Sequence, residues 1–107
     1  MARQTYNKLV RDRIPEIIQS EGRTCGTDTF SDEAFDQALR EKLIEEAQEI
    51  AAATPDKLIM ELADLYEVID GLLTSHHIED AAVIAEQERR SGERGSFKKR
   101  LRLLWTE

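Results

Sequence analysis

Glu46 and Glu49 stand three residues apart, and Glu61 and Asp64 repeat that spacing after an interval of eleven residues. Four carboxylates in two such pairs can ligate a divalent cation if their two segments pack side by side. Gathered in a half-buried cleft without a cation, they would repel one another and lose hydration. A divalent ion removes both costs, and an all-oxygen donor set selects Mg²⁺ or Mn²⁺ over zinc. The competing reading is two ordinary acidic helix faces turned to water, because either pair alone is common.

The elements that would position these acids are helices. Ser31 is a good N-cap, with Asp32 and Glu33 in the first turn where the helix dipole favours anions. Leu39, Leu43, Ala47 and Ile50 then recur at helical spacing to about Ala53. Thr54-Pro55-Asp56 breaks the run, since a residue before proline avoids the helical region. A further helix is predicted from about Asp56 to Thr74. With Leu43 set to zero and about 100° per residue, Glu46 falls near −60°, on the shoulder of the apolar stripe. With Leu62 set to zero, Glu61 falls near −100°, inside the apolar arc between Leu72 and Val68. Asp64 lies just beyond it, and Glu49 farther from its own stripe than Glu46. An antiparallel hairpin would bring both pairs together.

Outside the hairpin, Pro15 and Gly22 bracket a short helix over Ile14–Glu21. A fourth helix is expected from about Glu79 to Arg90, ended by Ser91-Gly92. Arg23–Phe30 reads as a connector with a weak extended tendency, and Ser75-His76-His77 as a turn with both histidines at the surface. The fold class is all-α, a hairpin-based bundle of about four helices in a single domain over residues 1–107. A chain of 107 residues and 12.3 kDa buries a modest core, so help from a second subunit is expected.

Two basic clusters flank the acids. Arg94-Gly95-Ser96-Phe97-Lys98-Lys99-Arg100 combines Arg94 and Lys98, able to hold phosphate, with a glycine that permits close backbone approach. Asn7-Lys8-Leu9-Val10-Arg11-Asp12-Arg13 is the second, and Lys42 lies one turn before Glu46. Each also reads as a solvated charged segment, with Phe97 as a core anchor and Trp105 as the cap of a core or interface.

The net charge of −7 is local: residues 32–70 carry −9, and the segments on either side +1 each. Such a balance excludes nonspecific coating of nucleic acid or acidic membrane. It leaves room for a small polyanion. One cysteine, Cys25, permits no disulfide within the chain and fits a reducing cytoplasm as a bystander. No apolar run reaches the roughly 20 residues of a membrane span. No zinc spacing, phosphate-binding glycine loop or nucleophile elbow is present.

Lys42-Leu43-Ile44-Glu45-Glu46-Ala47-Gln48-Glu49 followed by Glu61-Leu62-Ala63-Asp64 resembles the Glu-Glu-x-x-Glu … Glu-x-x-Asp signature of MazG-like, all-α nucleotide pyrophosphohydrolases. Tyr6–Pro15 resembles the opening of the phosphoribosyl-ATP pyrophosphohydrolase-like branch of that superfamily. Arg94-Gly95-Ser96-Phe97 is similar to that branch's Arg-Gly-Gly-Phe, with Ser96 replacing a glycine. The resemblance implies Mg²⁺ ligation by Glu46, Glu49, Glu61 and Asp64, and cleavage between the α and β phosphates of a nucleotide. It implies a homodimer or homotetramer with the site near a subunit interface. In such an enzyme Glu45 would orient or deprotonate water, and Asn7, Lys8, Arg11, Lys42, Arg94 and Lys98 would face the substrate. The expected substrate is a noncanonical nucleoside triphosphate. Phosphoribosyl-ATP is the alternative within the class, and a non-catalytic helical dimerisation module the alternative outside it.

Overall fold

The computed structural model describes residues 2–107. Four α-helices follow one another: α1 (Ile14–Ser20), α2 (Asp32–Ala52), α3 (Leu58–Ser75) and α4 (Asp80–Arg94). The described residues contain no strand, so the connector over residues 23–30 is irregular rather than extended sheet.

Local chemistry accounts for most boundaries. The Ser31 hydroxyl accepts the Ala34 amide at 3.3 Å and caps α2. The helix stops where Ala53 and Thr54 turn extended ahead of Pro55. One 3₁₀ turn, Pro55–Lys57, intervenes, so α3 begins at Leu58, two residues after the expected start near Asp56. α1 and α3 end alike. Gly22 and His77 adopt positive φ, and the following amides, Arg23 and Ile78, reach back to the carbonyls of Ile18 and Leu73. Glycine is expected at such a position; histidine there left no signal in the sequence.

α4 differs from its expected end. Ser91-Gly92 does not stop it, and the helix continues to Arg94, where Gly95 takes φ 82°. A mid-helix glycine costs about 1 kcal/mol against alanine but does not forbid helical dihedrals. The Arg89 guanidinium bonds the Glu93 carboxylate at 2.7 Å across that turn, an i, i+4 pair that holds it helical.

The core is the α2–α3 hairpin, where Leu39 and Val68 are buried. Gly71 lets the helices approach here, since a Cβ on it would stand 2.9 Å from Leu39 Cδ2. The Thr54–Lys57 turn closes one end of the hairpin. At the other, His76 Nε2 meets Asp36 Oδ1 at 2.6 Å, and Arg40 Nε donates to the same carboxylate at 2.8 Å. Arg40 first, then His76, holds the Asp36 carboxyl below its usual range. His76 is thus at the surface as expected, but it ties α3 to α2.

α1 and α4 bury no residue. Phe97 is 95% exposed and Trp105 70%, so neither anchors nor caps a core within one chain. The radius of gyration is 18.6 Å, against about 13 Å for a compact chain of this length. No helix among the described residues is long and apolar enough to cross a membrane.

Candidate metal centre

The antiparallel hairpin brings the two acidic pairs together close to its turn. Glu46, Glu61 and Asp64 each present a carboxylate oxygen within 4.8 Å of the other two. Glu49, exposed on α2, stands outside this trio, close enough for its carboxylate to raise the carboxyls of both Glu46 and Glu61. The four acids read from the spacing therefore converge, three of them tightly.

Glu46 is buried at 5% exposure, on a helix shoulder that packing against α3 has closed. Its Oε2, and that of Glu61, are buried without a hydrogen-bond partner. Burial pushes the carboxyls of Glu46 and Glu61 up from their ordinary value, and the neighbouring Glu49 pushes them further. A buried acceptor with no donor costs about 1–3 kcal/mol or more for a charged group. Two such orphans on members of one cluster of hard oxygen donors fit a divalent cation of the Mg²⁺ or Mn²⁺ type.

Glu45 is drawn elsewhere. Lys8 Nζ pairs with its Oε1 at 3.0 Å and Lys42 Nζ at 3.5 Å. Its hydrogen bond from Lys8, with the nearby Lys42 charge, holds this carboxyl below its ordinary value. Lys42 also reaches Glu46 Oε1 at 3.7 Å, linking the two acids. Arg11 Nη2 donates to Asp64 Oδ1 at 2.8 Å. The N-terminal basic segment thus lies directly over the acids, a fold-back of 37 and 53 residues that helical periodicity does not encode.

Asn7, Lys8 and Lys42 line one cavity of about 260 Å³ between that segment and α2. Phe30, Gln37 and Glu41 complete its far end, and sequence reasoning missed them. Their signal was the i, i+4 step from Gln37 to Glu41 on the face that carries Lys42 and Glu45. Arg94 ends α4 and Lys98 lies in the tail beyond it. Neither forms an ion pair or side-chain hydrogen bond with the acids among the described residues.

Fold and site together define an all-α protein with a cluster of carboxylates on a helical hairpin, overlaid by basic side chains. Residues 8–91 match the model of the phosphoribosyl-ATP pyrophosphohydrolase family, and the chain belongs to that family. Membership supports a nucleotide pyrophosphohydrolase type of activity. A stretch of 46 residues is 52% identical to an uncharacterized protein of Mycolicibacterium smegmatis (strain ATCC 700084 / mc(2)155), covering 43% of this chain and 47% of that protein. The similarity thus spans about half the length of that relative. No solved structure matches the chain.

Proposed function

We propose that the chain is a divalent-cation-dependent nucleotide pyrophosphohydrolase, acting on a nucleoside triphosphate of the noncanonical, house-cleaning kind. The observation that carries this reading is the pair of orphaned buried oxygens on Glu46 and Glu61, converging with Asp64. Glu46, Glu61 and Asp64 would hold the ion, with Glu49 completing the set from outside the trio. Such an ion polarises the phosphate and makes water a better nucleophile at neutral pH.

The reaction adds water across the anhydride. Water oxygen bonds to the α phosphorus and gives up a proton to bulk water, the bond from that phosphorus to the bridging oxygen breaks, and pyrophosphate leaves with the electron pair. Glu45, whose basicity its two lysines reduce, is better suited to orient the water than to deprotonate it. Lys8, Lys42 and Arg11 take up negative charge on the departing pyrophosphate once phosphate oxygens replace their carboxylate partners. Phosphoribosyl-ATP is the second reading, favoured by the family description itself.

The test is a panel assay. Pyrophosphate release is measured with Mg²⁺ and Mn²⁺ across canonical and modified triphosphates and phosphoribosyl-ATP. One pyrophosphate per monophosphate is expected, together with a cation-dependent rise in Tm. Saturation at about 100 times Kd adds about 2.7 kcal/mol to stability. No release from any nucleotide and no cation effect would leave a helical dimerisation module instead.

The exposed tail supports a homodimer or homotetramer. Leu101 and Leu103 are exposed along with Phe97, a density of unpaired apolar side chains that a second copy would cover. In that assembly Arg94 and Lys98 serve the acids of a neighbouring subunit. Mixing Glu61→Gln chains with Arg94→Ala/Lys98→Ala chains should then restore pyrophosphate release that each lacks alone. No recovery in mixed assemblies would place the tail in its own subunit's site.

A further inference from the structure

We propose that the N-terminal segment is an ionic strap on the carboxylate cluster: Arg11 and Lys8 are built-in counter-charges that hold its affinity for a divalent cation down until a polyphosphate draws them off. The inference rests on the cation centre proposed above, and it adds what controls the loading of that centre.

Two cations from one segment reach acids far along the chain. Arg11 Nη2 donates to Asp64 Oδ1 at 2.8 Å, and Lys8 Nζ to Glu45 Oε1 at 3.0 Å. Asp64 belongs to the converging trio, and Glu45 precedes Glu46 on α2. Residues 2–11 lie in no helix or strand, so no backbone ladder pins the segment. Its downstream end is fixed, because the Arg11 carbonyl accepts the Ile14 amide at 3.0 Å where α1 begins. Leu9, between the two cations in sequence, is half-buried and lines the cavity on α2. The Arg11 side chain is 56% exposed and that of Asp64 36%. Ion pairs so exposed contribute little to stability. The contact is therefore one that a competing charge can displace.

The consequence for a cation is electrostatic. Glu46 Oε2 and Glu61 Oε2 are buried without a partner, so no donor of the chain meets their charge. A guanidinium on Asp64 offsets part of the repulsion among the acids, as a divalent ion would. The two positive charges then compete. Each weakens the field that attracts the other, in a cleft where water screens them less than in bulk. Lys42 also approaches the cluster, 3.7 Å from Glu46 Oε1, but it is fixed one turn away on α2 and moves with that helix. Arg11 is carried by a segment that can lift. A polyphosphate reverses the balance, because its oxygens offer a guanidinium and an ammonium partners of higher charge than a carboxylate. Cation and polyphosphate therefore each raise the other's affinity through Arg11.

The test is Mg²⁺ binding to the full chain without nucleotide, followed by titration calorimetry in wild type, Arg11→Gln and Arg13→Gln. Arg13 controls for net charge: it stands two residues away and pairs with Glu16 of α1 at 3.0 Å. Arg11→Gln should bind Mg²⁺ at least about fivefold more tightly than wild type, the lower end of ordinary coupling between sites. Arg13→Gln should match wild type. Pyrophosphate release should move the opposite way, with kcat/KM falling in Arg11→Gln. Loss of a merely structural contact would not tighten the metal while slowing turnover. In wild type, the backbone order parameters of residues 8–11 should fall when Mg²⁺ is added and recover with magnesium tripolyphosphate, a polyphosphate without a base. Equal Mg²⁺ affinity in all three chains, or an equal gain in both variants, overturns the strap and leaves the cation centre standing. Unchanged order at residues 8–11 with Mg²⁺ bound overturns it as well. Mg²⁺ binding by none of the chains overturns the cation centre, and the strap that gates it falls with it.

Discussion

Glu61→Gln yields a protein that releases pyrophosphate at least on the order of 10³-fold more slowly, yet unfolds at a higher temperature without metal at pH 8. The loss follows from removing one of three converging carboxylates proposed to hold the ion, since a bound ion contributes several kcal/mol of charge stabilisation to phosphoryl chemistry. The gain in stability has the opposite origin. Burial, and then Glu49, raises the Glu61 carboxyl above its ordinary 4.5. The folded chain therefore keeps this proton to higher pH than the unfolded chain does. The associated stability is complete below 4.5 and is lost as pH rises through the folded-state value. Glu46 behaves in the same sense. Glutamine does not titrate, and its amide can donate to the Glu49 carboxylate. Melting curves at pH 5 and pH 8, with and without Mg²⁺, check both halves. Wild type should lose more stability than the variant between the two pH values in the absence of metal, and gain more on adding Mg²⁺ at pH 8. An active Glu61→Gln enzyme would remove Glu61 from the ligand set.

Leu39→Ala lowers the unfolding free energy by about 2–5 kcal/mol, a large share of the roughly 5–15 kcal/mol that holds an ordinary domain. Leu39 and Val68 are the buried apolar residues of the hairpin, and Leu39 packs where Gly71 allows the helices to meet. Truncation leaves a void where Leu39 packs against Gly71. The same geometry predicts coupling. An alanine at Gly71 meets Leu39 Cδ2 at 2.9 Å, so it strains the wild-type core but partly fills the void of the truncated one. Urea unfolding of both single variants and the double variant measures this. The double variant should be more stable than the two single losses add up to. A cost under about 1 kcal/mol for Leu39→Ala would show that the hairpin draws its stability from elsewhere.

The helices were legible because their signals are local. Ser31 caps, Pro55 breaks, Gly22 turns, and apolar residues recur at helical spacing between them. The i, i+3 acids and the position of Glu61 inside an apolar arc were legible for the same reason, because a helix converts spacing into direction. The end of α4 was misread where a local stop, Ser91-Gly92, lost to an ion pair across it. The positive φ of His77 was not read from the sequence, because a histidine adopts that conformation in only a small minority of cases.

By itself, the sequence determined an all-α chain, the place and width of its two central helices, and four acids that face a common side. These properties depend on neighbours within about one turn of each residue. Only the tertiary structure decided which acids touch. It buried Glu46, left Glu49 outside the trio, and drew Glu45 away to Lys8 and Lys42. It also folded Arg11 onto Asp64 and opened the cavity that reaches Phe30. Those outcomes depend on contacts between residues tens of positions apart, where periodicity carries no information and packing and charge choose the partner.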